Sequence, residues 1–382
     1  MKVIIIGGGI GGLCTALAMR TRGIDPVIYE RAAEPGDVGA GLMLWPNAMK
    51  VLSALGAGAA VIAAGARLIH SRLCTANGKT LHEGRLDELE TRVGTPVVAI
   101  HRAALHRILA EALETGMLRF AMPCVNVVQH ADSVTVQFAN GASDSADLIV
   151  GADGIRSAVR RQMFPHIQLR YSGYTAWRGV VETTDEAALG VTTEMWGMGA
   201  RFGIVRVDRS RVYWFATYNQ PAGEISSPEE RKAKLLSIFR TWCAPVPHLL
   251  EATPAAAILH NDIYDIRSFA PWSREQVTLL GDAAHPTTPN MGQGACMAIE
   301  SAYVLARALA QEPGLPSALH RYEAERRART RWVTNTSWSI GRGAQIDHPA
   351  LCLLRNWLVR SLPASMFQSL LWRAAGYDVT AS

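Results

Sequence analysis

Residues 3–12 read VIIIGGGIGG, and this stretch narrows the fold more than any other. Val3 to Ile6 is a β-branched run suited to a parallel strand buried on both faces. The glycines that follow are spaced Gly7-x-Gly9-x-x-Gly12. The first permits a tight turn, the second lets a pyrophosphate approach the backbone at a helix N-terminus, and the third lets helix and strand pack closely. Leu13 to Arg22 has helical composition and Gly23 predicts its stop. Pro26 to Tyr29 restarts a strand that ends in Glu30, 18 residues past Gly12, where an acid can accept from a ribose hydroxyl. Strand, turn, helix, strand and acid in that order predict a dinucleotide site. The acid disfavours a 2′-phosphate, so FAD or NAD is expected rather than NADP.

Val3 to Met19 is apolar or small apart from Thr15, and could be mistaken for a leader. Its five glycines would weaken a membrane helix, and no other run approaches the roughly 18–20 residues a span needs. No transmembrane segment is expected. The 382 residues suggest about two domains, and a 49% hydrophobic, 19% charged composition suits a globular chain. The net charge of +5 fits anionic ligands or an ordinary basic surface. No basic block interleaved with aromatics appears, so no nucleic-acid partner is expected. Cys14, Cys74, Cys124, Cys243, Cys296 and Cys352 form no close pair. That argues against zinc, a redox dithiol and a secreted disulfide framework. No metal is expected, and a cytoplasmic location is.

Two later segments repeat the strand-then-turn pattern. In DLIVGADGIRSAVRR, Leu148 to Val150 reads as a strand that breaks at Gly151-Ala152-Asp153-Gly154, before a helix with Arg156 and Arg160. Upstream, IHRAALHRIL places Arg102 at a helix start, where it could pair with phosphate or be a surface charge. In GDAAHPTTPNMGQGACMAIESA, Val277 to Leu280 reads as a strand with Asp282 just past its carboxyl end. Pro286 and Pro289 keep the chain extended, and Gly292 and Gly294 let backbone lie against a flat ring. A helix from Ala295 to Leu309 then points its positive N-terminus at whatever lies there.

These three segments together resemble the signatures of class A FAD-dependent aromatic monooxygenases, the para-hydroxybenzoate hydroxylase fold. The likeness spans roughly the whole chain. Within the family it is nearest 2-heptyl-4-quinolone 3-monooxygenases and FAD-dependent urate hydroxylases. TAWRGVV, EMWGMGARFGIV and SWSIGRGAQ carry the former likeness. The resemblance implies an α/β chain, α+β overall, with a Rossmann-like FAD-binding domain, a β-sheet substrate domain and C-terminal helices. The FAD-binding part would be 1–69, 98–170 and 270–335, the substrate sheet 70–97 and 171–269, and the helical tail 336–382.

The resemblance also assigns roles. Gly7, Gly9 and Gly12 would hold the pyrophosphate, with Glu30 and Arg31 on the adenosine side. Gly41 and Leu42 would lie beside the flavin and Arg102 by the phosphates. Asp153 and Gly154 belong to a motif shared between FAD and the nicotinamide donor. Asp282 would take the ribityl chain. Pro289 would sit near the reactive C4a, and Gly292, Gly294 and Ala295 would offer amides to the ring edge. NADH or NADPH would reduce the flavin, O2 would add as a C4a-hydroperoxide, and an electron-rich aromatic or heteroaromatic ring would attack it. No second GxGxxG exists, which fits a transient donor.

Arg201 and Tyr213 align with positions that bind urate in the urate enzymes, or are a surface arginine and a core tyrosine. Asn290 replaces an aspartate there, which makes urate itself doubtful. Trp177 could wall the pocket or be core. His285 lies in the flavin loop, where support is the safer role than catalysis. Three competitors lack support: no W-x-W halogenase motif occurs, no dithiol exists for a reductase, and a non-catalytic escort has no reason to keep the flavin loop. An epoxidase acting on an alkene, or a flavin-dependent dehydrogenase or reductase, shares these motifs and stays open. The tail from Pro349 to Trp372 is helical and apolar, either packed on the FAD domain or touching a membrane surface. Monomer and dimer are both compatible with the sequence.

Overall fold

The computed structural model describes residues 1–34, 36, 40–182 and 189–381. In its two large sheets the strands run, in chain order, β1 (Val3–Ile6), β2 (Pro26–Tyr29), β3 (His70–Thr75), β4 (Thr80–Arg85), β5 (Leu118–Arg119), β6 (Leu148–Gly151), β7 (Arg170–Glu182), β8 (Val191–Trp196), β9 (Ala200–Arg206), β10 (Arg211–Asn219), β11 (Leu259–Asp265), β12 (Ser273–Arg274) and β13 (Val277–Leu279). The six-stranded sheet has the order β12-β13-β6-β1-β2-β5. Its central strands β1, β6 and β13 are parallel neighbours whose residues are all buried. Short apolar runs covered on both faces need no polar alternation, which is why these segments read as continuous Val, Ile and Leu.

The seven-stranded sheet has the order β11-β7-β10-β9-β8-β3-β4 and is antiparallel except where β8 meets β3. It alternates. One face packs Phe202 and Trp214 against Phe239 of the helix Pro228–Phe239 in a second apolar core. The other face lines the cavity described below.

Six helices matter to the site: α1 (Ile10–Arg20), α2 (Ala158–Met163), α3 (Gly294–Gln311), α4 (Leu315–Ala344), α5 (Pro349–Ser361) and α6 (Ala364–Ala375). α1 begins at Ile10 rather than Leu13, because the glycines after Gly9 already take helical geometry. It ends at Arg20, followed by Gly23 at φ +74°. α2 starts only at Ala158, so Arg156 stands in the turn before it, and the serine Ser157 caps it through the amide of Arg160. Pro363 splits the apolar tail into α5 and α6. Behind α3, the buried Glu300 carboxylate bridges Arg326 and Arg329 of α4 and takes a 2.5 Å bond from Asn47. Such a triad is strongly destabilised by removing one partner, so it fixes how α4 lies on α3.

Candidate active site

A cavity of about 590 Å3 lies between the six-stranded sheet and the alternating face of the seven-stranded one. Two helix N-termini open onto it. α1 starts after Gly9 and α3 after Gln293, and neither has a side-chain cap, so their first amides lack intrahelical partners. Ile10 and Gly11 of α1 line the cavity, as do Gly294 and Ala295 of α3. Arg102 joins them on the wall. Paired positive helix ends beside an arginine form a cradle for anionic groups.

The glycines are needed for different reasons. A Cβ on Gly12 would stand 1.9 Å from the carbonyl oxygen of Gly7, and one on Gly7 2.4 Å from that of Ala152. Both are demanded by packing. A Cβ on Gly9 would meet no protein atom within 4 Å, so the space above it is cavity. Gly41 lets its strand close on the sheet, since a Cβ there would lie 2.6 Å from the Tyr213 ring. Gly292 adopts φ +61°, a left-handed turn that brings the loop to the start of α3.

Of the expected cofactor residues, Gly9, Gly41, Leu42, Arg102, Asp282, Pro289, Gly292, Gly294 and Ala295 line this one cavity. Gly154 does so as well. Asp282 is exposed to the open cavity. Burial pushes its carboxyl up, while the charges of Arg102 and Arg160 pull it back. Glu30 receives the Gly8 amide at 2.6 Å and the Ala32 amide at 2.9 Å, which pin it at the end of β2. Asp153 does not line the cavity. Its Oδ2 accepts from Ala158 at 2.7 Å and Val159 at 3.2 Å at the start of α2.

Three of the named residues stand outside this cavity. Arg31 is exposed and does not line the cavity. His285 does not line it either; its ring is buried against Trp272, with Nε2 3.1 Å from Ser301 Oγ. Burial, reinforced by the nearby Arg326, pushes it down to about 3, so it is neutral and structural. Trp177 is fully buried on the far face of β7, because Ala176 and Arg178 take the cavity side and strand residues alternate. It stacks at 5.2 Å on its cross-strand partner His260, whose ring lies on the same far face.

The other end of the cavity carries a polar cluster. Arg201 of β9 is 2% exposed, and each of its three guanidinium nitrogens has a partner. Nη2 donates to Asn290 Oδ1 at 2.6 Å, Nη1 to Glu194 Oε1 at 3.2 Å, and Nε to Gln345 Oε1 at 2.8 Å. Asn290 is held from behind, its Nδ2 donating to Ser337 O at 2.8 Å and Thr288 Oγ1 at 2.9 Å. Those acceptors fix the amide orientation. Tyr213 lines the cavity with its hydroxyl pushed up by burial and pulled down by Arg178. Val205, Phe215 and Leu259 complete an apolar wall. Sequence reading missed Glu194, Arg178 and Gln345. The alternation of β8, with Thr192 and Glu194 on one face, was the available signal for the first.

A cradle for anions at one end and a mixed polar and apolar chamber at the other suit a dinucleotide flavin with a ring substrate against it. The class these features define is the FAD-dependent aromatic hydroxylase. The family described as FAD binding domain matches residues 1–337, and the chain belongs to it. An aurachin C monooxygenase/isomerase of Stigmatella aurantiaca is 40% identical over 362 residues, covering 95% of this chain and 94% of that one. The 2-heptyl-3-hydroxy-4(1H)-quinolone synthase of Pseudomonas aeruginosa is 34% identical over 371 residues, covering 95% and 94%. The crystal structure of Klebsiella pneumoniae HpxO complexed with FAD and uric acid superposes with a TM-score of 0.91 at 32% identity, covering 97% and 95%. The protein is an FAD-dependent monooxygenase that uses a nicotinamide donor and O2. Among the described residues no helix is long and apolar enough to cross a membrane.

Proposed function

We propose that the enzyme hydroxylates a 4(1H)-quinolone-like heteroaromatic ring bearing an apolar arm. The observation that carries this reading is the division of the substrate end: Arg201, Asn290 and Glu194 cluster on one side, and Val205, Phe215 and Leu259 form the other. A ring with one polar edge and an apolar remainder matches that division. A purine, polar all round, would press polar atoms on the apolar wall without partners. The relatives named for aurachin C and for a heptylquinolone support the same class.

In this reading the stretches 1–69, 98–170 and 270–335 bind FAD, 70–97 and 171–269 roof the substrate, and 336–382 form the helical tail. The α1 N-terminus with Gly7, Gly9, Gly12 and Arg102 holds the pyrophosphate, and Glu30 the adenosine ribose. Asp282 accepts from the ribityl chain. Gly292, Gly294 and Ala295 turn the α3 N-terminus toward the ring's electron-rich edge, and Pro289 lies beside the ring. Bound FAD would supply hydride acceptance from NADH or NADPH and the transfer of one oxygen atom from O2, the other leaving as water. The protein's part is to orient the substrate and exclude water. Arg201 is positioned by Gln345 and Asn290, and it fixes Glu194 in turn. Asn290, an amide with both ends engaged, positions rather than takes protons. Glu194 is the carboxylate at this end of the cavity and offers its second oxygen to a ring N–H or O–H. The apolar surface of α5 and α6 is the place for peripheral membrane contact.

The test is NADH and NADPH oxidation under air by the flavin-loaded enzyme, with 2-heptyl-4(1H)-quinolone and uric acid compared and peroxide quantified. The quinolone should accelerate oxidation many-fold with little peroxide and yield a hydroxylated product. Acceleration by uric acid alone, or by an alkene alone, would overturn the assignment.

A further inference from the structure

Outside the cavity, one apolar patch stands open. On α5, Leu351 is 51% exposed, Leu354 50%, Trp357 62% and Leu358 47%. Leu362 and Met366 carry it across the turn onto α6, at 39% and 55%. The helices are nevertheless docked on their inner side. Cys352 and Arg355 are buried, and Arg355 donates to Ala344 O at 2.9 Å and Gly197 O at 3.1 Å. On α6, Phe367 stacks on His82 at 3.8 Å and Trp372 lies under Arg92. The open face is therefore left over after packing and is not an undocked tail. A contiguous patch of this kind marks an interaction site.

Charge selects the partner. From Pro349 to Gly376 the chain has no Asp or Glu, and it carries Arg355, Arg360 and Arg373, of which the last two are exposed. We propose that α5 and α6 seat in the interface of a membrane containing anionic lipids, from which an apolar substrate enters the cavity; this rests on the quinolone reading above. Leucines and a tryptophan beside arginines, with no acid, are the composition of an interfacial helix. A second copy of the chain fits less well. A two-fold face sets the same patch against itself, and this segment offers no acid to offset the apposed arginines. The seat also lies by the right end of the cavity. The Ala344 carbonyl that anchors Arg355 immediately precedes Gln345, whose Oε1 holds Arg201.

The experiment uses the flavin-loaded full chain and sedimentation with vesicles of phosphatidylcholine alone or mixed three to one with phosphatidylglycerol. Binding to the anionic vesicles is expected. Leu354→Glu with Leu358→Glu should weaken it at least ten-fold, and Arg360→Gln about five-fold on anionic vesicles only. The turnover ratio of vesicle-loaded 2-heptyl-4(1H)-quinolone to soluble 2-methyl-4(1H)-quinolone should fall in the double variant. A wild type that stays in the supernatant with both vesicles overturns the seat. So does a dimer that the double variant splits while vesicle binding is absent. An unchanged ratio overturns the entry route. Wild type that binds vesicles and hydroxylates neither quinolone overturns the substrate reading and leaves the seat standing.

Discussion

Arg201 Nη2 donates to Asn290 Oδ1 across 2.6 Å, joining the roof sheet to the loop that opens α3. The two residues are 89 positions apart, and each is held by others: Arg201 by Gln345, Asn290 by Ser337. The seven-stranded sheet and the loop before α3 are thereby joined at the cavity. Beneath Asn290 lies Gly341 of α4, where a Cβ would come within 2.3 Å of Asn290 Nδ2.

Gly341→Ala should therefore disturb the Arg201 bond without touching the cavity. A hydrogen bond to a charged group is worth about 1.5–3 kcal/mol. Substrate kcat/KM should fall by about ten- to a hundred-fold while FAD stays bound. Steady-state kinetics with a flavin absorbance ratio would check this; kinetics like the wild type would show that the link carries no function.

Gly9 and Gly12 should fail differently. Gly9 has extended backbone, at φ −74° and ψ −179°, and open space above it. Gly9→Val should fold and purify colourless. Gly12→Val should fail to fold, since its Cβ overlaps the Gly7 carbonyl. Circular dichroism and flavin content separate the two outcomes, and a yellow Gly9→Val would sink the pyrophosphate role.

Asp282, open to the cavity, should carry a small stability penalty in the flavin-free chain. Its folded carboxyl is raised above the ordinary 3.8, chiefly by burial. Stability from such a group is present below 3.8 and lost as pH rises through the raised folded value. Asp282→Asn should have a higher Tm than wild type at pH 7, with the gap closing near pH 4, and should retain FAD less well. Equal Tm at pH 7 would contradict the burial argument.

His285 has the opposite sign. With its folded value near 3 against an ordinary 6.5, its contribution is intact above 6.5 and drains away as pH falls toward 3. His285→Gln should flatten the loss of Tm over that window and leave the pH profile of turnover unmoved. A shifted turnover profile would make the histidine catalytic after all.

The cofactor half of the site was legible because it is built from local sequence. A turn spaced Gly7-x-Gly9-x-x-Gly12, an acid ending β2, and a proline–glycine loop before α3 each state their geometry within a few residues. Even there the sequence did not distinguish glycines needed for packing from the one facing open space. It also placed His285 by neighbourhood in the loop, whereas its ring turns to Trp272.

The sequence by itself determined the buried parallel strands, the uncapped helix starts and so the cradle, since these follow from chain-neighbour sterics and from hydrogen bonds that must be satisfied locally. The tertiary structure alone decided the polar end of the cavity. Glu194, Arg201, Asn290 and Gln345 come from four separated segments, and strand alternation with sheet order brings them together. Trp177 shows the same limit: a strand's pattern says which residues share a face, but only packing against a second layer says which face becomes core and which becomes cavity.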